Sequence, residues 1–84
     1  MRIEMPERAF EAYRQPYIDM FGYRAKPTLY GGVSALFRDC GHRGEVEVVS
    51  VYRGWVEIEV TGALPACFST DGQAHGTVFY RKVG

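Results

Sequence analysis

Apolar positions along this chain recur first with a helical period and later with a strand period. Residues 5 to 22, MPERAFEAYRQPYIDMFG, place Phe10, Tyr13, Tyr17, Met20 and Phe21 at spacings of three and four, the stripe of a helix with one buried face. Pro6 suits a first turn, Glu7 and Glu11 suit the positive end of the helix dipole, and Gly22 is a fitting stop. Pro16 is discordant, because inside a helix it removes the bond to the Ala12 carbonyl and crowds that turn. A kink or two short helices are therefore expected.

Pro27 and the pair Gly31-Gly32 then point to irregular or turning backbone. The segment VSALFRDC, residues 33–40, fits two templates. Val33, Ala35 and Phe37 alternate as in a strand, whereas Val33, Leu36, Phe37 and Cys40 share one helical face closed by Gly41. A hairpin needs a third strand to stand in water, and on that ground a strand is expected over 33–40.

The stretch GEVEVVSVYRGWVEIEV, residues 44–60, is the clearest strand signal, and it admits two registers. A two-residue loop at Arg53-Gly54 pairs Tyr52 with Trp55, Ser50 with Glu57 and Val48 with Glu59. A three-residue loop, with Gly54 left-handed, pairs Val51 with Trp55 and Glu47 with Glu59, and gathers Val46, Val48, Val56, Ile58 and Val60 on one side. Either way, period-two geometry sends Val56, Ile58 and Val60 to one face and Trp55, Glu57 and Glu59 to the other. Carboxylates are seldom buried unpaired, so the Trp55 face is expected away from the helix. After Thr61-Gly62, ALPACFSTDGQAHG reads as a long loop with a turn at Asp71-Gly72, and TVFYRKV reads as a last strand. The expected architecture is α+β, a kinked N-terminal helix packed on a three- to four-stranded antiparallel sheet.

The length of 84 residues, taken as residues 1–84, makes a single small domain. Its 46% hydrophobic, 14% aromatic and 24% charged residues fit a folded protein rather than a disordered one. Ten basic and ten acidic side chains cancel, which removes the global field that gathers proteins on nucleic acid or anionic membrane. No apolar run approaches a membrane span, and MRIEMPERAF breaks any signal-peptide core at Pro6, so a cytoplasmic protein is expected. Cys40 and Cys67 are expected to be reduced and packed.

Four constellations compete as carriers of function. Cys40, His42, Cys67 and His75 could supply a tetrahedral zinc site, but their spacing is unlike that of paired ligands, and neither a metal nor a cofactor is expected. Cys67, Asp71 and His75 offer thiol, orienting group and base, within a Gly-rich loop that lacks the rigidity a catalytic triad needs. Glu45, Glu47, Glu57 and Glu59 form an acidic face on an open sheet rather than in a walled cleft, which does not suit acid-base catalysis. Tyr23, Arg24, Lys26, Tyr80, Arg81 and Lys82 interleave rings with cations, the pairing that binds single-stranded nucleic acid by stacking and phosphate neutralisation.

Protein binding fits better than any of these. Residues 25–43 carry a net charge of +2 and residues 44–62 a net of −3, a dipolar layout that steers docking. Tyr52, Arg53 and Trp55 are residue types that dominate interface energies, with Glu57 and Glu59 complementing a basic partner. The expectation is therefore a non-enzymatic protein-binding module. It would act in the manner of phage or mobile-element inhibitors, occupying a basic surface of a larger nucleic-acid-handling complex where carboxylates compete with phosphate. Single-stranded nucleic-acid binding is the alternative, and the valine-rich strand edge also allows a homodimer.

Overall fold

Alternation of Arg2 and Glu4 with Ile3 and Met5 makes the first element a strand, β1 (Arg2–Pro6), with Ile3 and Met5 fully buried. In the computed structural model, which describes residues 1–22, 26–70 and 78–83 and only the backbone of Lys26, a 3-10 turn (Glu7–Phe10) leads into helix α1 (Glu11–Phe21). Helix α2 (Lys26–Asp39) and the hairpin β2 (Val46–Tyr52) and β3 (Trp55–Val60) follow, and then the short strands β4 (Phe68–Ser69), β5 (Val78–Phe79) and β6 (Arg81–Lys82). The sheet has the order β2-β3-β1-β6 and is antiparallel throughout, while β4 and β5 form a small parallel pair. One face of the sheet, bearing Ile3, Met5, Val56, Ile58 and Val60, packs with Phe10, Val33, Leu36 and Phe37 to form the core. The fold is thus the α+β layer pair that the sequence implies.

Several local expectations give way. Residues 33–40 lie in α2 and at its end rather than in a strand, and the third strand beside the hairpin is β1. Gly31 and Gly32 sit within that helix. Their missing side chains let α1 approach: a Cβ on Gly31 would lie 2.6 Å from the Tyr17 ring, and one on Gly32 would lie 2.5 Å from Cγ of Arg14. The glycines read from sequence as a turn are therefore a crossing point of two helices, where close packing offsets an intrinsic helix penalty of about 1 kcal/mol each. Arg14 is almost wholly buried there and donates to Oε1 of Glu7 at 3.2 Å.

Helix α1 also differs from its sequence stripe. It runs unbroken past Pro16, which is exposed, so the lost bond to Ala12 is outweighed by packing against α2. Met20 is 73% exposed and Phe21 49% exposed, so α1 buries Arg14, and the 3-10 turn before it buries Phe10, in place of the C-terminal stripe residues. The segment expected to be one last strand is split at Tyr80, with β5 pairing to β4 and β6 pairing to β1.

The hairpin resolves its two registers by using both. Arg53 at φ 51° and Gly54 at φ 80° give a two-residue turn of the I′ kind, and the tip pairs Tyr52 with Trp55, Val51 with Val56 and Ser50 with Glu57. The base instead pairs Val48 with Ile58, Glu47 with Glu59 and Val46 with Val60. An extra residue at Val49, a β-bulge, joins the two registers and keeps Val46, Val48 and Val51 on the core side.

Replacing Gly32 with Val should lower the unfolding free energy by about 1–3 kcal/mol through overpacking against Arg14. Chemical denaturation measures this directly, and an unchanged or raised midpoint would contradict the close helix crossing.

Candidate functional site

The outer face of the sheet is built from the positions that alternate with the core. Trp55, Glu57 and Glu59 occupy it as the period requires, beside Arg2 and Glu4 of β1. Adjacent strands turn this face into a lattice of ion pairs. Arg2 reaches Glu57 at 3.6 Å and Glu59 at 3.7 Å, and the N-terminal ammonium lies 3.8 Å from Glu59. Arg81 pairs with Glu4, and its guanidinium carbon also lies 3.5 Å from the centre of the Trp55 ring. Phe79 meets the indole edge-on at 6.3 Å between ring centres. The tryptophan is half-buried on the side away from the helices, covered by the C-terminal strands.

This arrangement divides the five residues expected to bind a partner. Glu57, Glu59 and Trp55 have partners within the molecule. Tyr52, 68% exposed, and Arg53 stand free at the hairpin tip, where the guanidinium lies 5.2 Å from the Tyr52 ring centre. Exposed ion pairs contribute only about 0–1 kcal/mol each, so the lattice governs the availability of charge more than it governs stability. Among the described residues, Glu45 and Glu47 have no ion-pair partner, and neither do Arg38, Arg43 and Arg53.

Next to that tip runs the valine-rich strand edge that the sequence offers as a dimer surface, now placed on β2. Strand β2 is the end strand of the sheet, and among the described residues no strand pairs with its outer side. On the helix side its valines are incompletely covered: Val46 and Val48 are half-buried and Val51 is exposed, and the bulge residue Val49 is exposed as well. Alongside lies an open groove of about 270 Å³ between α2 and the base of β2, lined by Tyr30, Ser34, Phe37, Arg38, His42 and Val46. His42 shapes its lower end. Its Nε2 donates to the Thr61 carbonyl at 2.8 Å and its ring meets Phe37 edge-on. Gly44 leaves no room for a side chain against the Thr61 carbonyl, so the chain enters β2 along a fixed path. Edge position, unlike residue type, depends on strand order, and only the alternation in residues 2–6 could have signalled it.

The remaining constellations separate. Cys40 and Cys67 are free thiols in contact with each other, and burial, followed by the Cys67 hydrogen bond, pushes the Cys40 thiol up to about 11. That shift keeps the Cys40 thiol protonated at neutral pH. Asp71 and His75, needed for the triad, lie outside the described residues, as do Tyr23 and Arg24 and the side chain of Lys26. No cluster of three metal-binding side chains occurs among the described residues. Of the described members of the nucleic-acid set, Tyr80 packs on Phe68 at 6.1 Å, Arg81 is held by Glu4 and Trp55, and Lys82 is exposed without a stacking ring. No helix among the described residues is long and apolar enough to cross a membrane. The Tyr13 hydroxyl donates to Asp39 at 2.8 Å, and that bond raises the phenol's pKa, tying α1 to the end of α2.

Replacing Arg81 with Ala should uncover the chain's single Trp. The emission of Trp55 should shift to the red and its quenching by acrylamide should rise, with stability changing by no more than about 1 kcal/mol. Unchanged emission and quenching would contradict the stacked geometry.

Comparisons of the chain with protein-family models, with curated proteins and with solved structures give no match, so the site's own geometry is the basis for a functional reading.

Proposed function

We propose that this chain is a non-enzymatic protein-binding module whose docking surface is the open edge of β2 together with the hairpin tip. The observation that carries this reading is the seven-residue end strand with no strand on its outer side, bearing Val49 at 42%, Val51 at 45% and Tyr52 at 68% exposure. Such an edge supplies unpaired amides and carbonyls to an extended partner segment, and the adjoining groove receives alternate side chains. Tyr52 and Arg53 are the anchors. The carboxylates free to answer basic groups on a partner are Glu45 and Glu47, because Glu57 and Glu59 are matched by Arg2.

Inhibition of a larger nucleic-acid-handling complex is one use for such an edge. Cytoplasmic action and an origin in a phage or other mobile element belong to the same proposal. Single-stranded nucleic-acid binding has less support, since Arg81 and Tyr80 are engaged within the fold.

Affinity capture on the full chain, with and without nuclease, tests the proposal. Expected is a stoichiometric protein partner that survives nuclease and whose affinity falls about tenfold or more with Tyr52→Ala and with Val51→Lys. Loss of all bound material on nuclease treatment, or binding indifferent to both substitutions, would overturn it.

A further inference from the structure

The edge of β2 carries a pattern that its own sequence satisfies. The I′ turn makes Tyr52 and Trp55 the closing pair, so Tyr52 and Ser50 turn their amides and carbonyls toward β3 and Val51 turns its own outward. At the base, the Thr61 amide donates to the Glu45 carbonyl at 3.0 Å, so Glu45 and Glu47 face β3 and Val46 faces outward. In an unbroken strand Val46 and Val51 would point to opposite faces and opposite edges, being an odd number of positions apart. The bulge at Val49 brings them into phase, both on the core side and both with outward-facing backbone groups.

We propose that a second copy of this chain docks here, its β2 running antiparallel to the first about a two-fold axis between Val48 and Val49. This rests on β2 being the docking edge, and it names the partner. In that register Val46 meets the second copy's Val51, Glu47 meets its Ser50 and Glu45 meets its Tyr52, with its Arg53 one step beyond. Charge selects the arrangement. The base of β2 carries Glu45 and Glu47, its tip carries Arg53, and none of the three has an ion-pair partner among the described residues. Antiparallel addition sets Glu45 and Glu47 of each copy toward the other copy's Arg53, whereas parallel addition in register would set Glu45 on Glu45 and Glu47 on Glu47.

Bulges and edge charges commonly repel stray strands. Within residues 45–53 the charges have opposite signs at opposite ends, and the core-side row between them, Val46, Val48 and Val51, lacks full cover. Mismatched strands are repelled while a copy of the same strand is admitted. The two-fold closes on itself, so assembly stops at a dimer with one continuous eight-stranded sheet, twice the four strands of a single chain.

Sedimentation equilibrium of the purified full chain over about a hundredfold range of concentration is the test. Expected is a reversible rise from the 9.5 kDa monomer to twice that mass. Val51→Lys should abolish the rise. Glu45→Arg and Arg53→Glu should each weaken dimerisation about tenfold, and combining them should restore it toward the parent value. The charge-swap series keeps the test decisive should Val51→Lys fail to fold. A monomer at every concentration, a dimer indifferent to Val51→Lys, or a double variant no better than the singles would overturn self-pairing. A chain that stays monomeric yet loses a different protein partner on Val51→Lys overturns self-pairing and leaves the docking edge standing.

Discussion

Everything distinctive about the surface follows from the place of β1. Ile3 pairs with Ile58 on one side and with Lys82 on the other, which puts the N-terminal strand in the interior of the sheet. The Val60 amide donates to the Met1 carbonyl at 2.8 Å, and the Glu7 amide donates to Gly54 at the hairpin tip, so β1 spans the whole length of β3. Two consequences follow. Arg2 and Glu4 are delivered to the outer face, where Arg2 pairs with Glu57 and Glu59, the terminal ammonium also reaches Glu59, and Glu4 recruits Arg81 over Trp55. With β3 paired on both sides, β2 is left as an end of the sheet.

The two faces of the sheet do different physical jobs. Ile3, Met5, Val56, Ile58 and Val60 are completely buried, and each contributes about 1.5–3 kcal/mol by leaving water. The ion pairs opposite contribute about 0–1 kcal/mol each, less than a single buried isoleucine. Stability therefore comes from the helix-covered face, and the outer lattice determines which charges meet a partner. A face that looks acidic in sequence is close to balanced in space. Among the described residues, Glu45, Glu47, Arg38, Arg43 and Arg53, in and around β2, have no ion-pair partner.

How much of this was legible in the sequence depended on the range of the interaction. The faces of β3 were readable because Val56, Ile58 and Val60 alternate with Trp55, Glu57 and Glu59, and alternation is a local property. Both hairpin registers were readable too, though the bulge at Val49 that reconciles them was not. Gly31 and Gly32 were misread because their role is set by Tyr17 and Arg14 on another helix, and Pro6 hid a strand by resembling a helix start. Trp55 was placed on the correct face, but its cover comes from Arg81 and Phe79, remote in the chain. A valine-rich edge was legible, but the position of β2 at the end of the sheet was not, because strand order is fixed only when β1 inserts.

Residue-resolved amide hydrogen exchange in dilute solution tests that insertion most directly. A strand paired on both sides protects consecutive amides, so slow exchange is predicted at Ile3, Glu4 and Met5, whereas β2 should alternate, with Ser50 and Tyr52 slow and Val46 and Val51 fast. Rapid exchange at Glu4 and its neighbours, or unbroken protection along β2 in the dilute monomer, would contradict the account.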